Sequence, residues 1–118
     1  MREEVIRIVE AYINAVRKND MDGVPLHSDV VFESPVRSIK GIANFRKGID
    51  DFVRILKGIE VVHITADDDT CAAVLNVDTA FGLIPFVEFL KIVDGQIVSI
   101  RAYYDPRPIL EGMSRMLA

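Results

Sequence analysis

Four strand-like runs joined by short turns fill most of the second half of the sequence and limit its fold more than any other feature. The runs cover residues 59 to 66, 71 to 80, 83 to 93 and 96 to 105. Their apolar and β-branched residues are typical of strands. The last two runs are joined by Asp94 and Gly95, which favour a tight hairpin turn because both residues accept positive φ angles. The pattern therefore predicts a largely antiparallel sheet.

An amphipathic helix is predicted at the start of the chain. Apolar residues recur from Val5 to Val16 at the spacing of one helical face, and the pattern ends before Asp20. The turn formers around Pro25 allow at most a short helix. A strand is predicted from Val30 to Ser34, stopped by Pro35.

A second amphipathic helix is predicted between that strand and the four runs. Apolar residues recur on one face from Ile42 to Leu56. Gly41 can start this helix, and Gly58 is placed to end it in a left-handed cap. Helices followed by antiparallel strands predict an α+β fold in which the helices pack on one face of a curved sheet. Residues 1 to 118 are expected to form one domain.

Charge and composition exclude several kinds of protein. The net charge is −4 and the isoelectric point is near 5.1, with no basic cluster, so a nucleic-acid partner is not expected. No apolar stretch is long enough to span a membrane, and the acidic start is unlike a secretory signal, so a cytoplasmic protein is predicted. Cys71 is the single cysteine, and neither it nor the two histidines predict a metal site. No cofactor is expected.

Four motifs occur in the order found in a known superfamily. They are AYINAVRKNDMDGV in the first helix, FESPV in the first strand, KGIANFRKGI at the start of the second helix, and DGQIVSIRAYYDP near the end. Together they make the chain resemble the nuclear-transport-factor-two-like superfamily, which includes the SnoaL-like proteins and the ketosteroid isomerases. The resemblance implies a cone-shaped, mostly antiparallel sheet wrapped around the N-terminal helices. It also implies a central apolar pocket for a small apolar molecule and a homodimer.

The ketosteroid isomerases are similar to this chain at two of three catalytic positions. Their carboxylate base moves a proton while a tyrosine and a neutral carboxylic acid hold the developing oxyanion. Tyr12 matches the tyrosine and Glu88 matches the neutral acid, but Ser34 stands where the base is found. A serine hydroxyl is too weak a base to take a proton from carbon unaided. Steroid isomerase activity itself is therefore not predicted.

Glu88 has two interpretations. Alternation along its strand would place it on the pocket face between Phe86 and Leu90, where desolvation should raise its pKa and keep it protonated. A protonated carboxyl beside Tyr12 would complete a two-donor oxyanion hole. Alternatively, Glu88 lies on an outer face and forms an ion pair with Lys91, with Arg101 or with a dimer partner.

Two aspartates are candidates for the missing base or for substrate contact. Asp105 resembles an aspartate that serves as a base in epoxide-hydrolase-like and SnoaL-like relatives. The strand pattern points it outward unless the strand bulges or ends before Pro106. Asp78 resembles the second aspartate of the epoxide hydrolases, but those enzymes carry an arginine where this chain has Asn76, so epoxide hydrolysis is not favoured.

Two functional hypotheses follow. The first is proton-transfer catalysis, isomerase-like or cyclase-like, on a small apolar carbonyl compound, with Tyr12 and Glu88 polarising the carbonyl and Asp105 as the base. The second is a non-catalytic module that binds a small molecule or a partner through the same fold, which the absence of a base at position 34 favours. The residues expected to contact the ligand are Phe32, Ser34, Phe52, Phe86, Tyr104 and Asp78.

Overall fold

The computed structural model describes residues 2–117, which form three helices and one six-stranded sheet. The elements in chain order are α1 Arg2–Lys18, β1 Leu26–Glu33, β2 Ser38–Lys40, α2 Ile42–Val53, β3 Leu56–Ala66, β4 Thr70–Thr79, β5 Gly82–Val93, β6 Gln96–Tyr103 and α3 Arg107–Leu117. The predicted α+β architecture is confirmed.

The sheet is curved, open and mixed, with the strand order β2-β1-β6-β5-β4-β3. All neighbouring strands are antiparallel except β1 and β6, which are parallel. Helix α1 packs against β3 and β4, and α2 packs against β1 and β2. The main core therefore lies between these two helices and one face of the sheet, where apolar burial stabilises the fold.

The strict alternation along β5 decides which of its side chains enter the core. From Ile84 to Ile92, every second residue is buried and those between are exposed. A strand points successive side chains to opposite faces, so one face of β5 meets the helices and the other meets solvent. Glu88 is on the buried face.

The turn between β5 and β6 has the conformation that its sequence predicts. Asp94 has a φ of 50° and Gly95 a φ of 75°. Asp is one of the few residues with a side chain that tolerate this region, and Gly adopts it freely, so the Asp-Gly pair fits a type I′ turn. This turn sets the antiparallel pairing in which Glu88 lies opposite Ala102.

Three boundaries differ from the sequence-based expectation. Strand β1 begins at Leu26 rather than at residue 30, and no helix precedes it within residues 19–25. Helix α2 ends at Val53 with Arg54 as its C-cap in a right-handed conformation, so Gly58 lies inside β3 and does not cap the helix. Leu56 was attributed to the helical face, but it begins β3. A short apolar stretch after a helix fits either period, which explains the error.

Helix α3 was not predicted. Its sequence carries the signals: prolines at positions 106 and 108 suit a helix start, and Ile109, Met113 and Met116 follow at helical spacing. Only Gly112 of this helix is buried. The chain packs so tightly there that a Cβ atom on Gly112 would overlap the ring of Phe81, and this contact holds α3 to the turn between β4 and β5.

No helix within residues 2–117 combines the length and apolarity needed to cross a bilayer.

Candidate functional site

A cavity of about 650 Å³ lies between the helices and the inner face of the sheet. Its walls come from all three helices, from strands β1 to β5, and from the chain segments beside them. Most of its wall is apolar, which is the usual character of a small-molecule site. The candidate residues that line it are Tyr12, Phe32, Ser34, Phe52, Phe86, Glu88 and Tyr104.

Tyr12 reaches the cavity from the buried face of α1. It follows Val5 and Val9 on the apolar stripe of that helix, and its side chain is 2% exposed. The ring lies 6.3 Å from that of Phe45, measured between centroids. A buried tyrosine brings its hydroxyl into apolar surroundings, where it needs a hydrogen-bond partner.

Glu88 lies at the middle of β5 on the same cavity and is 8% exposed. The residues opposite it are Ala73 on β4 and Ala102 on β6, whose small side chains leave room beside the carboxyl. The two cations that the ion-pair interpretation assigns to it, Lys91 and Arg101, are exposed on the other face. The alternative of an outer ion pair for Glu88 is therefore wrong within residues 2–117.

The side chains of Tyr12 and Glu88 both line the cavity, and each shifts the pKa of the other. Burial raises the pKa of Glu88 from 4.5 to about 7, although the hydrogen bond from Tyr12 lowers it. Burial also raises the pKa of Tyr12 well above 10, and the nearby Glu88 raises it further. Tyr12 therefore keeps its proton at neutral pH, while Glu88 can exist in both protonation states.

Aromatic rings form much of the cavity wall around this pair. Phe86 and Tyr104 stack with their ring centroids 4.1 Å apart and an interplanar angle of 9°. Phe52 contacts Phe86 at 6.2 Å, and Phe32 contacts Phe45 at 5.8 Å. Such rings present a flat apolar surface to a ligand and exclude water from the polar pair.

Ser34 lines the cavity, but its hydroxyl is committed to the turn that follows β1. Its oxygen accepts hydrogen bonds from the backbone N–H groups of Val36 and Arg37, each at 3.3 Å. The hydroxyl also donates to the carbonyl of Arg37 at 3.4 Å. The side chain therefore stabilises a local turn, and within residues 2–117 its hydroxyl has no hydrogen bond to a histidine or a carboxylate that could activate it.

Asp105 points outward, as the strand pattern indicated, and is not at the cavity where the proposed base is needed. This residue is exposed, does not line the cavity, and follows the end of β6. Its carboxylate accepts the backbone N–H of Arg107 at 3.1 Å and pairs with the Arg107 guanidinium at 2.8 Å. These hydrogen bonds lower the pKa of Asp105 from 3.8 to about 2. Asp105 thus accepts the first N–H group of α3 and lies outside the cavity that Tyr12 and Glu88 line.

Asp78 is also placed away from the cavity. It is exposed on β4, while its neighbour Val77 is buried and lines the cavity. Alternation along the strand puts the two side chains on opposite faces. The expectation that Asp78 contacts a ligand in this cavity is therefore not met by its position.

Several residues of the cavity were not identified from the sequence. The apolar side chains Leu110, Met113 and Met116 of α3 line it and are exposed, so they border its open end. Asp51 and Arg54 reach it from the end of α2, and Arg37 reaches it from the turn after β1. The helical spacing of the α3 residues is the signal that could have revealed them.

No group of histidine, cysteine, aspartate and glutamate residues in the described part of the chain could hold a metal ion.

The amino-acid sequence matches a known family. Residues 9–100 match the family model described as SnoaL-like domain. This match spans most of the chain and includes Tyr12, Ser34 and Glu88. A comparison with curated proteins finds no significant match.

Solved structures share the fold along nearly the whole chain. A protein from Kribbella flavida is 26% identical, with a TM-score of 0.85 and 93% of each chain covered. A steroid delta-isomerase from Pseudomonas aeruginosa is 17% identical, with a TM-score of 0.77, covering 99% of this chain and 93% of its own. A de novo designed protein with a curved β-sheet is 18% identical, with a TM-score of 0.82 and 98% of each chain covered. The last two likenesses concern the fold alone.

Proposed function

The chain belongs to the SnoaL-like domain family, and we propose that it catalyses proton transfer on a small apolar carbonyl compound, in an isomerase-like or cyclase-like reaction. One observation carries the proposal: Tyr12 and Glu88, which shift each other's pKa, are both buried at a mostly apolar cavity. A steroid delta-isomerase is among the proteins of similar fold, which agrees with this chemistry but does not assign it.

In the proposed reaction, Tyr12 and protonated Glu88 donate hydrogen bonds to the carbonyl oxygen of the substrate. A base removes a proton from the adjacent carbon, and the electron pair of the broken C–H bond moves into the carbonyl group to form an enolate. The two donors stabilise the negative charge on the enolate oxygen. Returning the proton to another carbon completes an isomerisation, and attack by the enolate carbon on a second carbonyl of the substrate begins a cyclisation.

Two carboxylates are candidates for the base. Asp51 is the described carboxylate, besides Glu88, that lines the cavity. Asp105 is the base implied by the resemblance, but it would first have to leave Arg107. A carboxylate whose pKa is about 2 is also a weak base. We therefore propose Asp51 as the first candidate and Asp105 as the second.

The experiment that tests this function uses 2-acetylnaphthalene, an apolar ketone with exchangeable protons beside its carbonyl. Bound ketone should show a lowered C=O stretching frequency in the infrared spectrum, because two hydrogen bonds polarise the carbonyl. In D₂O the protein should accelerate the exchange of the acetyl protons for deuterium, which NMR measures directly. Tyr12→Phe should slow this exchange roughly a hundred- to a thousandfold.

The same measurements identify the base, with each of the two aspartate variants serving as the control for the other. Asp51→Asn should abolish the exchange and leave the infrared shift, whereas Asp105→Asn should leave both. The reverse result would make Asp105 the base. A bound ketone whose C=O frequency is the same in the wild-type protein and in Tyr12→Phe would remove the pair from the proposal.

A non-catalytic ligand-binding module is the second candidate function. It is favoured by a specific observation: the hydroxyl of Ser34 is used by its turn, and the carboxylate of Asp105 is used by Arg107. For such a module, the infrared shift of 2-acetylnaphthalene appears and no deuterium exchange follows.

We also propose that the chain forms a homodimer through the outer face of its sheet. Val87, Phe89 and Tyr103 are each 38% to 53% exposed there, and Val87 lies opposite Tyr103 in the register of β5 and β6. Exposed apolar residues that adjoin one another are typical of protein interfaces.

A further inference from the structure

Two arginines border the cavity at its exposed end. Their positive charges contrast with the apolar side chains of the interior. Arg37 lies in the turn after β1 and Arg54 caps the C-terminus of α2. Both side chains are exposed, and both residues belong to the cavity wall together with the exposed residues of α3. The cavity therefore has a buried polar pair, apolar walls and a cationic rim.

The guanidinium groups of Arg37 and Arg54 have no protein partner within residues 2–117: neither forms an ion pair or donates a hydrogen bond there. Four other arginines are engaged, whereas Arg2, Arg7 and Arg115 also lack such a partner among the described residues but do not line the cavity. The engaged arginines are Arg17, Arg46, Arg101 and Arg107. The two arginines at the cavity are thus available to a ligand.

Besides Glu88, one carboxylate, Asp51, lines the cavity, and it must be included in the charge balance of the cavity wall. Asp51 does not come within ion-pair distance of either arginine in the described residues. Outside the Tyr12 and Glu88 pair, two positive charges and one negative charge leave the cavity wall with a net positive charge at neutral pH. A planar guanidinium with free N–H donors is well suited to a carboxylate, which it can bind through two parallel hydrogen bonds.

We propose that the ligand of this cavity is an apolar carbonyl compound that carries a carboxylate, or a similar anionic group, at the end remote from its carbonyl. The carbonyl lies at Tyr12 and Glu88, the apolar body contacts the aromatic walls, and the anionic group binds Arg37 and Arg54 at the rim. This assignment deepens the proposed function and rests on it for the position of the carbonyl.

Both arginines have a structural role that must be separated from ligand binding. Arg54 places a positive charge at the C-terminal end of α2, where it complements the helix dipole. The backbone carbonyl of Arg37 accepts hydrogen bonds in the turn of Ser34. Neither role selects between a charged and an uncharged ligand, so ligand selectivity distinguishes binding from structure.

The test compares matched pairs of 2-acetylnaphthalenes. One member carries a carboxylate at position 6, attached directly or through a chain of one to four methylene groups, and the other is its methyl ester. The series covers a range of distances between ketone and carboxylate. Dissociation constants from fluorescence titration should be lower for the best carboxylate than for its ester. Each arginine should contribute about a three- to fivefold preference, the size expected for an exposed ion pair of about 0.7 to 1 kcal/mol.

Variants of the two arginines supply the control. Arg37→Gln and Arg54→Gln should each reduce the preference for the carboxylate about three- to fivefold, and the double variant should abolish it, while ester binding stays constant. Arg7→Gln changes the net charge equally on an exposed position of α1 outside the cavity wall, and it should leave the preference unchanged. In the wild-type protein, 0.5 M salt should weaken the preference without any substitution.

Any of the following binding results would overturn the inference: no preference for any carboxylate in the wild-type protein, a preference that survives in the double variant, or an equal loss in Arg7→Gln. These results are independent of the proposed function, which the neutral 2-acetylnaphthalene tests through its infrared shift and proton exchange. Nuclear Overhauser contacts from the naphthalene ring to the methyl groups of Leu75 and Val77, which line the cavity, identify the binding site. Contacts to the outer face of the sheet would likewise overturn the inference.

Discussion

The hydroxyl of Tyr12 and the carboxyl of Glu88 meet inside the protein, one carried by the first helix and the other by the middle of the sheet. Their surroundings make both groups favour the neutral form, because burial penalises charge on each of them. At a pH below the pKa of Glu88, both side chains can therefore donate a hydrogen bond to a ligand. At a pH above it, Glu88 is a carboxylate that accepts from Tyr12.

The first prediction concerns the pKa of Glu88 in the absence of Tyr12. The hydrogen bond from Tyr12 favours the ionised carboxylate and lowers its pKa, so Tyr12→Phe should raise the pKa of Glu88 above its present value of about 7. Carboxyl-carbon NMR across a pH titration measures it. Tyr104→Phe removes another hydroxyl from the cavity wall and should leave this pKa unchanged. If the pKa of Glu88 is the same in Tyr12→Phe as in the wild-type protein, the two groups do not interact.

The second prediction concerns the pH dependence of stability. The pKa of Glu88 is raised from 4.5 to about 7 in the folded protein, so between these values the folded state binds more protons than the unfolded state. The free energy of unfolding therefore falls as the pH rises from about 4.5 to about 7. Outside this range Glu88 makes no contribution to the pH dependence of stability. The total change is about 3 kcal/mol, since one pKa unit corresponds to about 1.4 kcal/mol.

Urea unfolding at a series of pH values measures this contribution as the difference between the wild-type protein and Glu88→Gln, which cannot titrate. The exposed Glu10 on α1 gives the matched control, because Glu10→Gln removes an equal charge from the surface. The difference for Glu10→Gln should vary little over the same window. A flat difference for Glu88→Gln would show that Glu88 is not desolvated.

The pattern of the sequence was sufficient for the parts of the fold that rest on local chemistry. The helical stripe of α1, the alternation of β5 and the Asp94-Gly95 turn each follow from the spacing and backbone preferences of nearby residues. These elements place Tyr12 and Glu88 on the inner face. The placement of both residues at one cavity could therefore be anticipated.

The remaining parts depend on contacts that spacing does not reveal. Asp105 resembles a catalytic base in sequence, but its position is decided by Arg107 and by the start of a helix that was not recognised. Likewise, Gly58 suits a helix cap, yet it pairs opposite Asp78 in the sheet. Tertiary pairing overrode the local preference of Gly58, whereas the position of Asp105 follows from a local contact at the start of the unrecognised helix.

The third prediction concerns the outer face of the sheet. Val87 and Phe89 are exposed on β5, and lysines at both positions would bring like charges together across a symmetric interface. Val87→Lys combined with Phe89→Lys should convert a dimer into a folded monomer. Sedimentation equilibrium measures the mass, and circular dichroism checks the fold.

A matched control for that experiment adds the same two charges on the helical side of the molecule. Ala11 on α1 and Ala43 on α2 are both exposed, so Ala11→Lys combined with Ala43→Lys should leave the dimer intact. A wild-type protein that is monomeric at high concentration would contradict the proposed interface.

The last prediction concerns the contact that holds α3 beside the cavity. A methyl group on Gly112 would overlap the ring of Phe81, and overpacking of this kind typically costs about 1 to 3 kcal/mol. The better helix propensity of alanine offsets up to about 1 kcal/mol of that cost. Gly112→Ala should therefore lower the free energy of unfolding by about 1 to 2 kcal/mol in urea titrations. With Phe81→Ala already present, Gly112→Ala should become neutral or stabilising. Gly58→Ala, whose added methyl group meets nothing within 4 Å, is the control and should be tolerated. An equal loss from Gly112→Ala with and without the Phe81 ring would show that α3 does not pack on that turn.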